Sequence, residues 1–356
     1  MPKAGFHDKP FDEATLTKLQ LFELYAREWL PVFLSTAVRP EVHLFDFFAG
    51  PGTDSSGVSG SPLRLLKQVR DYSNLAQKSG VSVHVHLFDA DPAKIAALDR
   101  NIDARGLRLP TVHLEVKALP FEQALQRSWP TISNSRAAKL LLMDQFGIDH
   151  VTPEVFVQLA SAPTCDFLFF VSSATYYRFQ NHPAIKQKIS RPDDHYQTHV
   201  AVLDFYRGLL PATQRFYLSP FSLKKGSNIY GVVFGSAHPR GMDKFLQVAW
   251  AQDEINGEAD FDINRENIRA DQMLLPIPGF RPSKVSAFEA DLEQRLRDGL
   301  LTNEAEVVQV CFDHGVRRQH AEPVLKRLKA EGVIDLGFRV PDIKKLDSPR
   351  PIRRTR

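Results

Sequence analysis

The sequence predicts an α/β protein: a doubly wound, mostly parallel sheet of seven strands ending in an antiparallel hairpin, followed by a small helical domain. Three patterns lead there. Between residues 42 and 173, five short apolar runs alternate with amphipathic or capped stretches, as strands and crossover helices do in a sheet covered on both faces. Two further apolar runs, 215–223 and 228–237, are separated only by Lys-Lys-Gly-Ser, a hairpin turn signal. From Val285 onward, three helical patterns and a short apolar pair follow in the order helix, helix, tight turn, helix, ribbon.

The elements follow in order. LTKLQLFELYAREWLPVFLS (16–35) has helical apolar spacing and forms an N-terminal helical segment over residues 1–40. VHLFDFF (42–48) is the first strand. The helix after it starts at Ser61-Pro62, an N-cap followed by proline in the first turn, so about ten loop residues follow the Gly50-Pro51-Gly52 elbow. VSVHVHLFDAD (81–91), VHLEVKAL (112–119), KLLLMDQFG (139–147) and CDFLFFVSS (165–173) are the next four strands. Helices are expected from Pro92, from near Phe121 and from a Thr152-Pro153 cap. The sheet domain covers 41–252, a proline-bearing linker 253–284, the helical domain 285–342 and a basic tail 343–356.

Composition bounds the function. The chain is 43% hydrophobic and 24% charged, as in ordinary globular proteins, and no apolar stretch approaches the roughly 20 residues that span a bilayer. The N-terminus has no apolar signal core, so a cytoplasmic location is expected. Cys165 and Cys311 lack any CxxC spacing and are expected as buried thiols, with no structural zinc. From Ser283 onward there are 15 Lys+Arg against 12 Asp+Glu, and the rest of the chain balances at 30 against 30. The whole net charge of +3 therefore lies at the C-terminal end, which points to a polyanion.

Ligands of open α/β sheets bind beyond the carboxyl ends of the strands, and Asp46, Asp89 and Asp144 fall at three such ends. A pyrophosphate wants a G-x-G-x-x-G loop opening directly onto a helix. Here Thr53-Asp54-Ser55 follows Gly52, Asp46 and Asp54 are acidic, and Asp89 lies 37 residues past Gly52. A cationic ligand suits these residues better. S-adenosylmethionine carries an ammonium for Asp46 and a ribose diol for Asp89, with the backbone of Phe47, Gly50 and Gly52 beside its methionyl part and Ala90 and neighbours of Leu119 beside its adenine. The contact to the adenine amine stays unassigned, because Lys-Ala-Leu (117–119) offers no acid. Asp144-Gln145-Phe146-Gly147 resembles the acceptor-side turn of amine-methylating methyltransferases, and that resemblance implies that Asp144 accepts the N–H groups of a target amine and Phe146 stacks on a flat base.

A doubly wound sheet with a terminal hairpin resembles the Rossmann-like class I methyltransferases. The combination of FDFFAGPG, GSPL (60–63), DQFG, VVFGSAHPRGMDKFLQVAW (232–250) and the C-terminal stretch resembles more specifically the three-Cys-motif partner (TcmP) family, a bacterial, methyltransferase-like group. That resemblance implies a two-component system with a Cys-motif partner protein. It also implies an acid-Pro-aromatic-Gly turn, which Gln145 interrupts.

The C-terminal unit has the order of a winged helix-turn-helix, with VIDLGFRV as its wing. Arg317, Arg318 and Gln319, with His320, open its recognition helix and can reach base edges; Lys326, Arg327 and Lys329 can reach phosphates, so DNA or RNA is the expected partner. His195 and His199 near Asp193-Asp194 read as surface, and Tyr176-Tyr177 as core or a stacking platform. The function expected is therefore methylation of a nucleic-acid base amine. The alternatives are a non-catalytic subunit that keeps the same fold, or a DNA-binding regulator that senses a small molecule.

Overall fold

The structure, a computed structural model, describes residues 9–36, 38–145, 150–171, 198–211, 213–226, 228–263 and 284–355. Its contacts divide the chain into two units, Met1–Gly241 and Met242–Arg356.

The first unit opens with α1 (Glu13–Leu34), capped by the Asp12 side chain through the Thr15 N–H. Its apolar face, including Leu19, Phe22, Tyr25 and Leu30, is buried, and the Tyr25 hydroxyl donates to Asp166 Oδ2 at 2.7 Å. The sheet is built from β1 (Glu41–Asp46), β2 (Ser82–Asp89), β3 (Val112–Ala118), β4 (Ala137–Met143), β5 (Cys165–Val171), β6 (Tyr217–Lys225) and β7 (Asn228–Ser236). Its order is β3-β2-β1-β4-β5-β7-β6. β1 to β5 run parallel, and β7 is antiparallel to both β5 and β6. This is the expected seven-stranded, Rossmann-like arrangement. The order reverses between β1 and β4, so the ligand crevice of such a sheet opens there, beyond Asp46.

Alternation along the strands explains why both faces are covered. Phe45, Leu141 and Phe167 pack into one cluster with Phe121 and Leu125 of α5 (Phe121–Ile132), Phe156 of α6 (Pro153–Ala160) and Tyr206 of α7 (Thr198–Gly208). The intervening Val42, Leu44, Leu140 and Leu142 are buried too, on the face served by α1, α2 (Ser61–Asp71) and α4 (Pro92–Ala104). Between α2 and β2 lies the short α3 (Ser73–Ser79), closed by Gly80 in the left-handed region. Near their amino ends β1, β2 and β3 align His43, His84 and His113 in one row, with ring centroids 4.3 and 4.4 Å apart.

Two details of the first unit differ from the sequence expectation. β1 stops at Asp46, so Phe47 and Phe48 belong to the loop. The cap of α2 is Gly60, not Ser61, whose hydroxyl lies near the Asp46 carboxyl.

The second unit contains most of α8 (Pro239–Gln252), then α9 (Lys284–Arg297), α10 (Glu304–Asp313), a 3-10 turn (Arg318–Ala321) and α11 (Glu322–Ala330). α10 carries a full capping box between Asn303 and Glu306. The unit boundary falls inside α8, ahead of the 253–284 stretch read as a linker. The ribbon also differs from the expected wing. β8 (Ile334–Leu336) pairs with β9 (Ile352–Arg354), which comes from the stretch read as a free basic tail. The tail is held there by Arg350, whose guanidinium and N–H bind the buried Glu304 carboxylate. Cys165 and Cys311 are buried free thiols. No helix among the described residues is long and apolar enough to cross a membrane.

Candidate functional site

The crevice is floored by the loop that follows β1. Its start is pinned to both neighbouring strands: the Phe47 N–H donates to Leu142 O at 3.1 Å and the Ala49 N–H to Phe88 O at 2.8 Å. Gly50 and Gly52 both take positive φ, +59° and +85°, which explains the glycines locally. Gly52 has a second reason. A Cβ there would lie 2.7 Å from Leu98 Cδ1 and 3.2 Å from Leu63 Cγ, so a larger residue would have to displace both side chains, apart from any ligand.

Asp54 organises the remainder of the loop. Its Oδ1 accepts the N–H groups of Ser56 and Val58, and its Oδ2 accepts the Phe11 N–H at 2.7 Å. The carboxylate is therefore spent on backbone N–H groups, whereas the sequence suggests an acid set against phosphate. Thr53 and Ser59 form a bridge across the loop base, and Arg105 clamps it through Gly57 O and Ser59.

Asp46 is the unusual group. Its side chain is fully buried, its Oδ1 accepts the Phe48 N–H at 3.1 Å, and its Oδ2 has no hydrogen-bond partner. Burial pushes its carboxyl up to about 7, against the pull of Ser61 and the Phe48 N–H, and the Asp144 and Asp89 carboxylates add to the rise. Asp89 and Asp144 therefore lie near enough to Asp46 for their charges to act on it.

Asp89 is held rigidly from both sides. Gly50 N–H donates to its Oδ2 at 3.0 Å and Asp91 N–H to its Oδ1 at 2.9 Å, leaving each oxygen a further lone pair. Lys94 Nζ is 3.9 Å away. Ala90 follows at the mouth, and Leu119 is tied to the end of β2 by its N–H to Asp89 O. The half-buried Phe48 stacks with Phe121 at 5.4 Å and meets His150 at 5.2 Å, an aromatic wall unforeseen from sequence. His150 is fixed by Glu122 at 2.8 Å.

Asp144 is where the sequence reading changes most. Its two oxygens lie 2.7 and 2.6 Å from Lys18 Nζ, supplied by α1. The ammonium also sits 4.6 Å from the centroid of Phe170. Asp144 is therefore not a bare acceptor waiting for the N–H groups of an amine. Nothing in the sequence links positions 126 residues apart, so Lys18 went unnoticed. Gln145, read as a weak point of the turn, is a brace. Its amide donates to Phe170 O at 2.8 Å, while its Oε1 accepts the His150 and Val151 N–H groups. Phe146, Gly147, Tyr176, Tyr177 and His195 lie outside the described residues, as does the side chain of His199.

In the second unit the four sequence-chosen residues separate. Arg318 makes two hydrogen bonds to Asp243, at 2.6 and 3.1 Å, and a third to Pro341 O. Arg317 lies over Trp250, 5.5 Å from its ring centroid. Both are committed inside the unit, whereas Gln319 and Lys326 are exposed. Among the described residues, no group of three or more His, Cys, Asp or Glu could hold a metal ion.

No protein-family model matches this chain, and no curated protein does. Solved structures similar to it include a SAM-dependent methyltransferase from Agrobacterium tumefaciens, at 14% identity and TM-score 0.33, covering 60% of this chain and 61% of that one. An O-methyltransferase from Bacillus cereus in complex with SAH follows at 12% identity and TM-score 0.35, covering 65% and 84%. The O-methyltransferase TomG from Streptomyces achromogenes, in complex with SAM, gives 10% identity and TM-score 0.34, covering 66% and 98%. The chain spans less than two thirds of the Agrobacterium protein's length.

Proposed function

We propose that the first unit binds S-adenosylmethionine in the crevice between β1 and β4 and passes its methyl group to an acceptor. The observation that carries this reading is Asp46, fully buried with one carboxylate oxygen lacking any partner. An unpaired buried carboxylate is costly, and folds keep one where a bound cation completes it. The ammonium of the donor supplies that cation. Asp89, oriented by two backbone N–H groups, has a free lone pair on each oxygen for the two ribose hydroxyls. Phe48, Ala90 and Leu119 line the side on which the adenine would lie.

When bound, the sulfonium supplies an electrophilic methyl group. The protein's share is then to hold nucleophile, methyl and sulfur in line and to exclude water, which is worth several orders of magnitude in rate without a strong base. Calorimetry tests the reading directly. One S-adenosylmethionine should bind per chain, and Asp46→Ala should weaken it tenfold or more. Because Asp46 must be ionised to pair with the ammonium, affinity should fall as pH drops below about 7. Absence of binding, or binding indifferent to Asp46→Ala, overturns the reading.

We extend the proposal to a nucleic-acid partner for the second unit, read as a winged helix. Its support is the helix order, exposed Gln319 and Lys326, and the exposed arginines Arg353 and Arg354 on β9. A base amine as acceptor is less well supported than before, since Lys18 occupies Asp144. The same ion pair favours one second reading: a subunit that keeps cofactor binding without catalysis and works beside a Cys-motif partner. Donor binding without transfer to RNA, DNA or protein would select it.

A further inference from the structure

We propose that the acceptor is an oxygen nucleophile, a hydroxyl group that reaches the exposed side of the Asp144 carboxylate paired to Lys18; this rests on the crevice being a methyl-donor site. Three observations point to it.

The first is placement. Asp144 lies just past β4, next to β1 at the switch point of the sheet, close enough to Asp46 for its charge to act there. Lys18 reaches it from a helix whose start is braced twice, by the Phe11 N–H on Asp54 and by Lys225 on Asp12 at 2.6 Å. Gln145 fixes the carbonyl of Phe170, and the Phe170 ring, stacked on Tyr230 at 5.4 Å, backs the ammonium.

The second is the uneven burial of the pair. The Lys18 side chain is 6% exposed and Asp144 is 19% exposed. Only the carboxylate keeps a window, so a ligand group can reach Asp144 while the ammonium stays sheltered behind it.

The third is charge. A neutral amine attacks with its lone pair and becomes cationic as it does so. The Lys18 ammonium beside Asp144 opposes that charge and offsets part of the attraction of the carboxylate. A hydroxyl has the opposite need, because its oxygen becomes a good nucleophile as its proton leaves. Asp144 can take that proton, and the ammonium stabilises the negative charge that grows on oxygen.

The step balances without another reactant. An oxygen lone pair forms the O–CH3 bond while the carbon–sulfur bond breaks and its electron pair stays on sulfur. The hydroxyl proton passes to Asp144 and then to water. Lys18 keeps its proton throughout and holds Asp144 in position.

The test uses the full chain and methyl-labelled S-adenosylmethionine, offered total RNA, DNA, protein and a desalted small-molecule extract, with the labelled product identified by mass spectrometry. Calorimetric donor affinity is measured on every variant. The label is expected in an O-methyl linkage. Lys18→Met should lower the turnover number at least a hundredfold while the donor Kd stays within threefold, and Lys18→Arg should restore a tenth or more of the activity. Arg keeps the ion pair, so it carries the test if the Met variant fails to fold. Label on nitrogen, carbon or sulfur overturns the proposal. So does full activity in Lys18→Met, or normal donor binding with no transfer to any pool. A wild-type chain that does not bind the donor instead sinks the cofactor reading, and the two failures are told apart by that measurement.

Discussion

Asp46 is a buried acid that costs stability when ionised. Its folded pKa is raised from 3.8 to about 7, so folding favours the protonated form. The sign follows: this group's favourable contribution is present at low pH and is lost as pH rises from about 4 through 7. Asp46→Asn keeps the shape and removes the buried charge. Its melting temperature should exceed that of the wild type at pH 8, by about 2–4 °C for a gain of about 1 kcal/mol, and match it near pH 4. A scanning-fluorimetry series from pH 4 to 8 reads this. A variant no more stable at pH 8 would mean that the carboxylate is compensated within the protein. The acid was legible in the sequence as the last residue of an apolar run. The oxygen left without a partner was not, because it depends on which groups the folded loop brings to the end of β1. Lys18 is the sharper case, a helical lysine whose meaning comes entirely from what lies across the crevice.

Among the elements, the elbow after β1 and the histidine rows of the sheet differ in what the sequence revealed. Gly50 and Gly52 were recognised as a turn, yet Gly52 also answers to Leu98, and Asp54 turned out to be a loop organiser. The strands carry histidines at every second position in VHVH, and only the register brings His43 against both His84 and His86. Glu41, Glu115, Lys139 and Arg127 are charged groups around them. Burial lowers His43 and His84 to about 4 and lowers His86 as well. A histidine whose folded pKa is depressed costs stability once the unfolded chain begins to take up protons. The sheet should therefore lose roughly 2–4 kcal/mol between pH 6.5 and 4.5 after allowing for the partial exposure of His84 and His86. Urea unfolding at those two pH values checks it, and His84→Gln should flatten the dependence. An unchanged slope in that variant would exclude the row as its source.

For the molecule as a whole, folding gives different tasks to residues that the sequence groups together, Arg318 inside the second unit and Lys326 on its surface. Arg318 and Lys326 were both placed on a nucleic-acid surface. The Arg318–Asp243 pair is almost dry, with side chains 13% and 5% exposed, so Arg318→Ala should cost about 3–5 kcal/mol by leaving Asp243 uncompensated. Lys326→Ala should change stability by less than about 0.5 kcal/mol. If the second unit contacts phosphates, it should also weaken duplex binding and lower the salt slope by about 1. Thermal melts together with a salt titration of binding to a random-sequence duplex distinguish the two. Equal binding by Lys326→Ala and the wild type would remove that helix from the interface.

The sequence by itself determined the alternation of strands and helices, the hairpin, the three acids at strand ends and the helix order of the second unit. Those are local matters of periodicity, caps and turns, written within windows of a few residues. Tertiary structure alone decided which acid is left unpaired, which is neutralised, and which arginines are spent on their own fold. Each of those outcomes is a pairing between distant segments: Lys18 with Asp144, Arg318 with Asp243, Arg350 with Glu304. A charge's chemistry depends on its burial and its neighbour, and both are fixed only when the chain closes on itself.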